Sequence, residues 1–501
     1  MRPTRRRFLE ATIGSGLVLG GPMEFLSKLR PVSAAEADLH PSLVKLDDGV
    51  EPTVRLLEDT PREKLMEEVA DRVKKGLSYR ELLAALLLAG VRNVQPRPQV
   101  GFKFHAVLVI NSAHLASIAS PAEDRWLPIF WAIDRFKAAQ LETMKANGWR
   151  MSAVDETKVP PASKARERFI EAMDAWDEPG ADAAAAALAR SAGRNEVFEL
   201  FVRYGARDFR DIGHKAIYVA NSFRTLECIG WQHAEPVLRS LAYALLKFDG
   251  ENPSKSDAAP DKPWRRNLEL AKKIRPDWQD AKPGNDAAAH LLSTLRTDSD
   301  EQCCAAVVEA INDGASIASI FDALLSGSAE LLMRKTGIVT LHSVTSSNAL
   351  RYAFDTTSDP QTRLMLLLQN AAFVPLFRAA AGKLPDIRID KLEASAPPPA
   401  EDAIADIFAT ASHDRPAAAQ KALAYLDQKG RPETLMNQAR RLVFLKGNDA
   451  HDYKFSSAVL EDFSHISPAW RNRYLAASMF YLPGSQGADN GLVKRVRAAL
   501  A

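Results

Sequence analysis

Apolar residues recur at three- and four-residue spacing along most of the chain. The segments LMEEVADRVKK (65–75), RELLAALLLAG (80–90), DRWLPIFWAIDRFKAAQLETMKANG (124–148) and EPVLRSLAYALLKF (235–248) all show it. This is the period of helices that bury one face. Alternation at period two is scarce, and Val/Ile/Thr runs such as GIVTLHSVT (337–345) are short. The pattern predicts an all-α protein. One helix breaks the simple amphipathic rule: in DIGHKAIYVANSF (211–223) the face carrying His214 also carries Tyr218, Asn221 and, further on, Thr225. Those positions recur at i, i+4, i+7 and i+11, so they form one polar stripe on an otherwise apolar helix.

Comparing the chain with itself at an offset of 237 residues pairs His105 with His342, Asn111 with Asn348 and Phe136 with Phe373. The same offset pairs Asp177 and Pro179 with Asp414 and Pro416, Gly193 and Arg194 with Gly430 and Arg431, and His214 with His451. Scattered alanines could match by chance, but a ladder of Gly, Pro, His and Asn in one register predicts a tandem duplication. The expected organisation is two helical halves, 60–249 and 298–490, joined by a connecting segment, 250–297. An N-terminal extension, 36–59, precedes them. Each half has a proline-rich internal connection, VPPAS (159–163) and SAPPPAE (395–401). Such halves pack either as a pseudo-symmetric multi-helix bundle or as a repeat array.

The duplication sorts the histidines. His105/His342 and His214/His451 occur in both halves, whereas His114 aligns with Arg351 and His233 with Trp470. A position that keeps its imidazole in both copies is a candidate for chemistry, because imidazole titrates near neutral pH and ligates transition metals. His105, His214, His342 and His451 are therefore the candidate metal ligands. His114, Tyr218 and Lys454 are the candidate catalytic groups, Lys454 because it shares a helical face with His451 three residues earlier. The competing reading makes the four histidines buried packing residues that bond to backbone or hydroxyl partners. FHAVLVINSAH (104–114) is not a local chelating motif, since His105 and His114 fall on nearly opposite faces of a straight helix.

The N-terminus adds a destination. TRRRFLEATIGSGLVLGG (4–21) joins a basic region to a short, mild apolar stretch, and VSAAEA (32–37) follows. This resembles a twin-arginine export signal over residues 1–35 and implies passage through the twin-arginine translocon to the periplasm or another exported location. Removing it takes the formal charge from +2 to −2. That balance gives no nucleic-acid footprint, and no second apolar run reads as a membrane span. That route carries proteins folded before export, which favours a cofactor enzyme acting on a small molecule. Three cysteines without a CxxC argue against a disulfide framework or a thiolate zinc site. No phosphate loop, GxGxxG unit, nucleophile elbow, CxxCH or paired ExxH motif occurs. A histidine-held transition metal (iron or copper), non-covalent haem or a cofactor-free pocket remain.

The order of short histidine motifs resembles the questin oxidase-like family. FHAVLVINSAH carries His105 and His114, GHKAIYVANS carries His214, LHSVTSS carries His342 and Thr345, and AHDYKFS carries His451 and Lys454. The resemblance spans most of the chain. It implies oxygen insertion beside a ketone, of Baeyer–Villiger type, with NADPH as electron source. The expectation is thus an exported all-α oxidoreductase of monooxygenase type, with the four histidines around a pocket between the halves. The alternatives are a non-catalytic periplasmic helical repeat protein that binds partners, and a cofactor-free, histidine-dependent hydrolase or lyase.

Overall fold

A computed structural model describes residues 43–44, 46, 49–97, 102–246, 252–281, 286–396, 402–447 and 449–501. The expected export signal, 1–35, lies outside the described residues, as do much of the N-terminal extension and residues 397–401 of the second proline-rich connection. The described residues form α-helices with short 3-10 helices, joined by turns and a few longer loops, and the only strand-type pairing among them is an isolated bridge between Leu43 and Ser152. The all-α expectation therefore holds for the described chain.

The first helices are α1 (Glu51–Asp59), α2 (Arg62–Lys74), α3 (Tyr79–Asn93), α4 (His105–Leu108), α5 (Ile110–Ile118) and α6 (Leu127–Ala146). They are followed by α7 (Ala165–Ala175), α8 (Glu178–Ser191), α9 (Arg194–Ala206), α10 (His214–Ile229) and α11 (Ala234–Leu245). Within the connecting segment lie α12 (Lys262–Ala271) and α13 (Ala288–Thr297). Then come α14 (Asp300–Asp313), α15 (Ile317–Arg334), α16 (Ile338–Thr356), α17 (Pro360–Ala381) and α18 (Ala403–Thr410). The last are α19 (Arg415–Asp427), α20 (Pro432–Lys446), α21 (Ala450–Asp462), α22 (Pro468–Ala477) and α23 (Gly491–Leu500).

Polar side chains start many of these helices by accepting from otherwise unpaired first-turn N–H groups. Ser78 caps α3, Asp177 caps α8, Ser316 caps α15 and Asp414 caps α19, while Ser299 and Gln302 form a capping box on α14. Helix α17 is long and apolar enough to cross a membrane by length and composition. Most of it is instead buried against α14, α16 and neighbouring helices, as a core helix is.

Four elements meet at the centre. Helix α16 packs on α10 and α21, and both of those also pack on α5. Polar ties cross the group: Asn221 Nδ2 donates to the Leu108 carbonyl (3.0 Å), Asn348 Nδ2 to Asp462 Oδ1 (2.8 Å), and Arg224 pairs with Glu461 (2.6 Å). Buried donors and acceptors matched in this way favour one register between the helices, because a slip would strand them unpaired. That register places the N-terminal ends of α4, α10, α16 and α21 together.

Candidate metal centre

Each recurrent histidine stands at or near the start of its helix: His105 and His214 are the first residues of α4 and α10, His342 is the fifth residue of α16, and His451 is the second residue of α21. All four are buried, and they line one cavity of about 560 Å³. Around the ring His105–His214–His342–His451, successive ring centroids are 4.8, 4.2, 5.1 and 4.6 Å apart, and the His105–His342 diagonal is 6.1 Å. One ligand atom each from His105, His342 and His451 lies within 4.8 Å of the others. His214 stands between two of these, its Nε2 2.9 Å from His105 Nε2 and 2.8 Å from His342 Nε2.

The outer nitrogens decide the protonation pattern. His214 Nδ1 faces the Asp211 carbonyl (2.5 Å) and His342 Nδ1 faces the Ile338 carbonyl (2.7 Å). His451 Nδ1 faces Asp449 Oδ1 at 2.5 Å. Carbonyls and carboxylates only accept, so each of these Nδ1 atoms carries the proton and donates it. In a neutral ring the Nε2 atom is then a bare lone pair. Two such lone pairs on His214 and His342 face each other, and buried His451 Nε2 has no hydrogen-bond partner. Burial, followed by the nearby Lys454, pushes both His214 and His342 well below the ordinary histidine range, which disfavours a proton as the bridge. The His451 contact, with burial opposing it, holds Asp449 down at about 2, so this carboxylate is ionised. Its Oδ1 also accepts from the His451 backbone N–H (2.8 Å), so one side chain starts α21 and orients the imidazole.

The turn before α10 is built for this position. Asp211 (φ 54°), Ile212 (φ 47°) and Gly213 (φ 78°) are all left-handed. For a β-branched residue such as Ile212 that conformation is costly, and it turns the Asp211 carbonyl back onto His214. A Cβ on Gly213 would lie 2.7 Å from Ser346 Cβ, so only glycine lets α10 start this close to α16.

No family model, curated protein or solved structure matches the chain. The site must therefore be read from its own geometry. Of the candidate catalytic residues, buried Lys454 joins it, with Nζ 3.3 Å from His342 Nε2. Burial lowers this lysine to about 7, so a neutral amine can donate to the imidazole. His114 and Tyr218 do not line the cavity. His114 Nδ1 contacts the Tyr79 hydroxyl (3.0 Å) and its Nε2 contacts Cys228 Sγ (3.2 Å), on the face of the α4–α5 segment turned away from His105. Tyr218 donates to Ser240 Oγ (2.7 Å) and packs edge-on against Phe104, because its stretch of α10 faces α11. Asn221 and Thr225 likewise serve helix packing, Asn221 through the Leu108 carbonyl and Thr225 through the Asn221 carbonyl. The groups that sequence reasoning missed are Asp449, Asp211 and the Ile338 carbonyl. Asp449 carried a signal, as an N-cap acid two residues before a recurrent histidine; the backbone carbonyls carried none.

Proposed function

We propose that His105, His214, His342 and His451 hold one transition-metal ion, and that the cavity beside it admits a small molecule to a redox reaction. The observation that carries this is the convergence of Nε2 atoms in one cavity, with the Nδ1–H groups of His214, His342 and His451 tied to outer acceptors. Metal-ligating histidines almost always donate their second N–H to a carbonyl or carboxylate in this way. Metal–nitrogen bonds of about 2.0–2.1 Å set at right angles put neighbouring nitrogens roughly 2.9 Å apart. The 2.8 and 2.9 Å spacings fit that tetragonal arrangement better than a tetrahedral one, which needs about 3.3 Å. Tetragonal nitrogen donors suit copper(II) best among common biological ions. The same spacings leave no room for a porphyrin between the imidazoles, which counts against haem.

A redox-active ion in a buried pocket suits an oxygen-using oxidoreductase, in line with the questin oxidase-like motif order, and the basic N-terminus suits export with the metal already inserted. The tandem duplication is supported by packing as well as by sequence. Helices α7, α8 and α11 pack in succession as α18, α19 and α22 do; α9 packs on α10 as α20 packs on α21; and α5 lies on α6 as α16 lies on α17. Even α12, in the connecting segment, packs on α14 and α17 as C-terminal α23 packs on α2 and α6.

The test is metal analysis of the full chain loaded with copper or iron and desalted. One tightly held ion per chain is expected, with His214→Ala and His451→Ala losing it while helical content is unchanged. A folded protein that retains no ion after loading overturns the proposal.

A further inference from the structure

We infer that the molecule entering this cavity is an anion, a carboxylate on a compact apolar body; this rests on the same cavity as the proposed function but not on metal occupancy. Five charged side chains besides the histidines line it: Lys103, Arg135, Glu142, Asp211 and Asp449. Asp449 accepts from the His451 ring, Asp211 acts from a distance on the Lys215 ammonium that Asp208 pairs, and exposed Glu142 acts from a distance on Arg62. Neither cation is held in a salt bridge of its own. Among the described residues no carboxylate oxygen lies within 4.0 Å of Lys103 or Arg135, although Arg135 acts on Asp449 from beyond that distance. Arg135 is also braced, with its guanidinium carbon 5.9 Å from the Trp131 ring centroid.

A partly buried, unpaired guanidinium on a cavity wall is a ready donor to a carboxylate, which it meets with two parallel N–H groups. The remaining wall is apolar and small: Ala106, Ala138, Ala139 and Ala450, with Ile212 and Ile338. Alanines leave volume for an apolar body, and about 560 Å³ is ample for a molecule of one or two rings. Four imidazoles are neutral ligands, so a bound dication would keep most of its charge and favour an anion further.

The experiment is calorimetric titration of full-length protein with 2-naphthoate and, as the uncharged comparator, 2-naphthamide. It is run on copper-loaded and on chelator-treated protein, as wild type and as Arg135→Gln and Lys103→Gln. Naphthoate is expected to bind both forms at least about tenfold tighter than naphthamide, and Arg135→Gln to weaken naphthoate by about tenfold with naphthamide unchanged, a loss of one charge-assisted contact. Lys103→Gln gives a smaller loss, since an ammonium offers a point charge and no fork. Equal binding of the two probes, no binding of naphthoate, or naphthoate binding that survives both substitutions overturns the inference. Copper retention by the same variants is read separately. Protein that holds no copper but still prefers naphthoate sinks the metal proposal and leaves this one standing.

Discussion

Replacing Gly213 by alanine tests the closeness of α10 to α16 directly. Two costs are expected. The backbone there is left-handed at φ 78°, which costs an L-residue about 1–2 kcal/mol. The new methyl would sit 2.7 Å from Ser346 Cβ and 3.2 Å from its Oγ, an overpacking cost of about 1–3 kcal/mol. Alanine returns about 0.4–1 kcal/mol by restricting the unfolded chain. The net destabilisation of Gly213→Ala is therefore about 1–4.6 kcal/mol. The two costs separate in a double-mutant cycle with Ser346→Gly, which removes the colliding atoms and leaves the backbone strain. Equilibrium urea unfolding of the four metal-free proteins should give a favourable coupling of about 1–3 kcal/mol. Because His214 follows Gly213 and Ser346 lies one turn beyond His342, the single variant should also weaken copper retention, and the double variant should regain part of it. A coupling indistinguishable from zero, or a Gly213→Ala protein as stable as wild type, refutes the claim that glycine sets this approach.

Asp449→Asn keeps the helix cap but removes the charge facing His451 Nδ1, so copper affinity by competition titration should fall about 10–100-fold with helical content unchanged. Arg92 is fully buried between Glu51 (2.8 Å) and Glu58 (2.7 Å); Arg92→Leu strands Glu51, while Glu58 keeps Arg150 and Asn93, and should cost about 3 kcal/mol or more in urea unfolding, a smaller loss showing that water reaches Glu51. Burial raises the Asp462 carboxyl to about 7, so the folded state holds its proton more tightly than the unfolded chain. That group's contribution is intact below about pH 4, is lost as pH rises toward 7 and is level above it, at most roughly 4 kcal/mol in all. Asp462→Asn should flatten the slope over that window, and a slope unchanged by the substitution would contradict the assignment. Burial also pushes the Cys303 and Cys304 thiols up to about 12, whereas Cys228 is only half-buried, so a disulfide reagent at pH 8 should titrate one thiol in folded protein and three in urea.

What could be read in the sequence follows the range of the forces involved. Helix positions were legible because burying one face writes a local period, and capping residues such as Ser78 and Ser316 punctuate it. The four histidines were legible because the repeated register singled them out, and Lys454 because it lies three residues from one of them. The polar stripe of α10 misled: Tyr218, Asn221 and Thr225 share a face with His214, but their partners are Ser240, the Leu108 carbonyl and their own helix. A helical face says which residues travel together and nothing about which neighbour answers them. His114 erred similarly, since adjacency in a motif does not survive a turn of nearly 180° around the helix. The charged wall of Lys103 and Arg135 was invisible, because it comes from two segments that meet only in the fold.

The departures from symmetry at this centre bear on how it would work. At the 237-residue offset, His105 and His214 have counterparts in His342 and His451, so the ligand set is even. The surroundings are not. Lys454 corresponds to Ile217, Lys103 to Thr340 and Arg135 to Ala372, which is wholly buried. A symmetric ring of imidazoles would offer an ion two equivalent faces and give a substrate no preferred approach. Here α6 lines the cavity through Arg135, Ala138 and Ala139, while the amine of Lys454 reaches the His342 edge from within α21. An ion held in the ring would thus meet its substrate from the cavity and a proton donor from the protein interior. On the proposed function, holding the metal would need the paired histidines, and directing chemistry at it would depend on the residues that differ across the offset. Loss of Lys454, as in Lys454→Met, should accordingly leave copper stoichiometry at one per chain and 2-naphthoate affinity unchanged while altering the copper spectrum through His342. A variant that loses the metal altogether would make this lysine part of the ligand set instead.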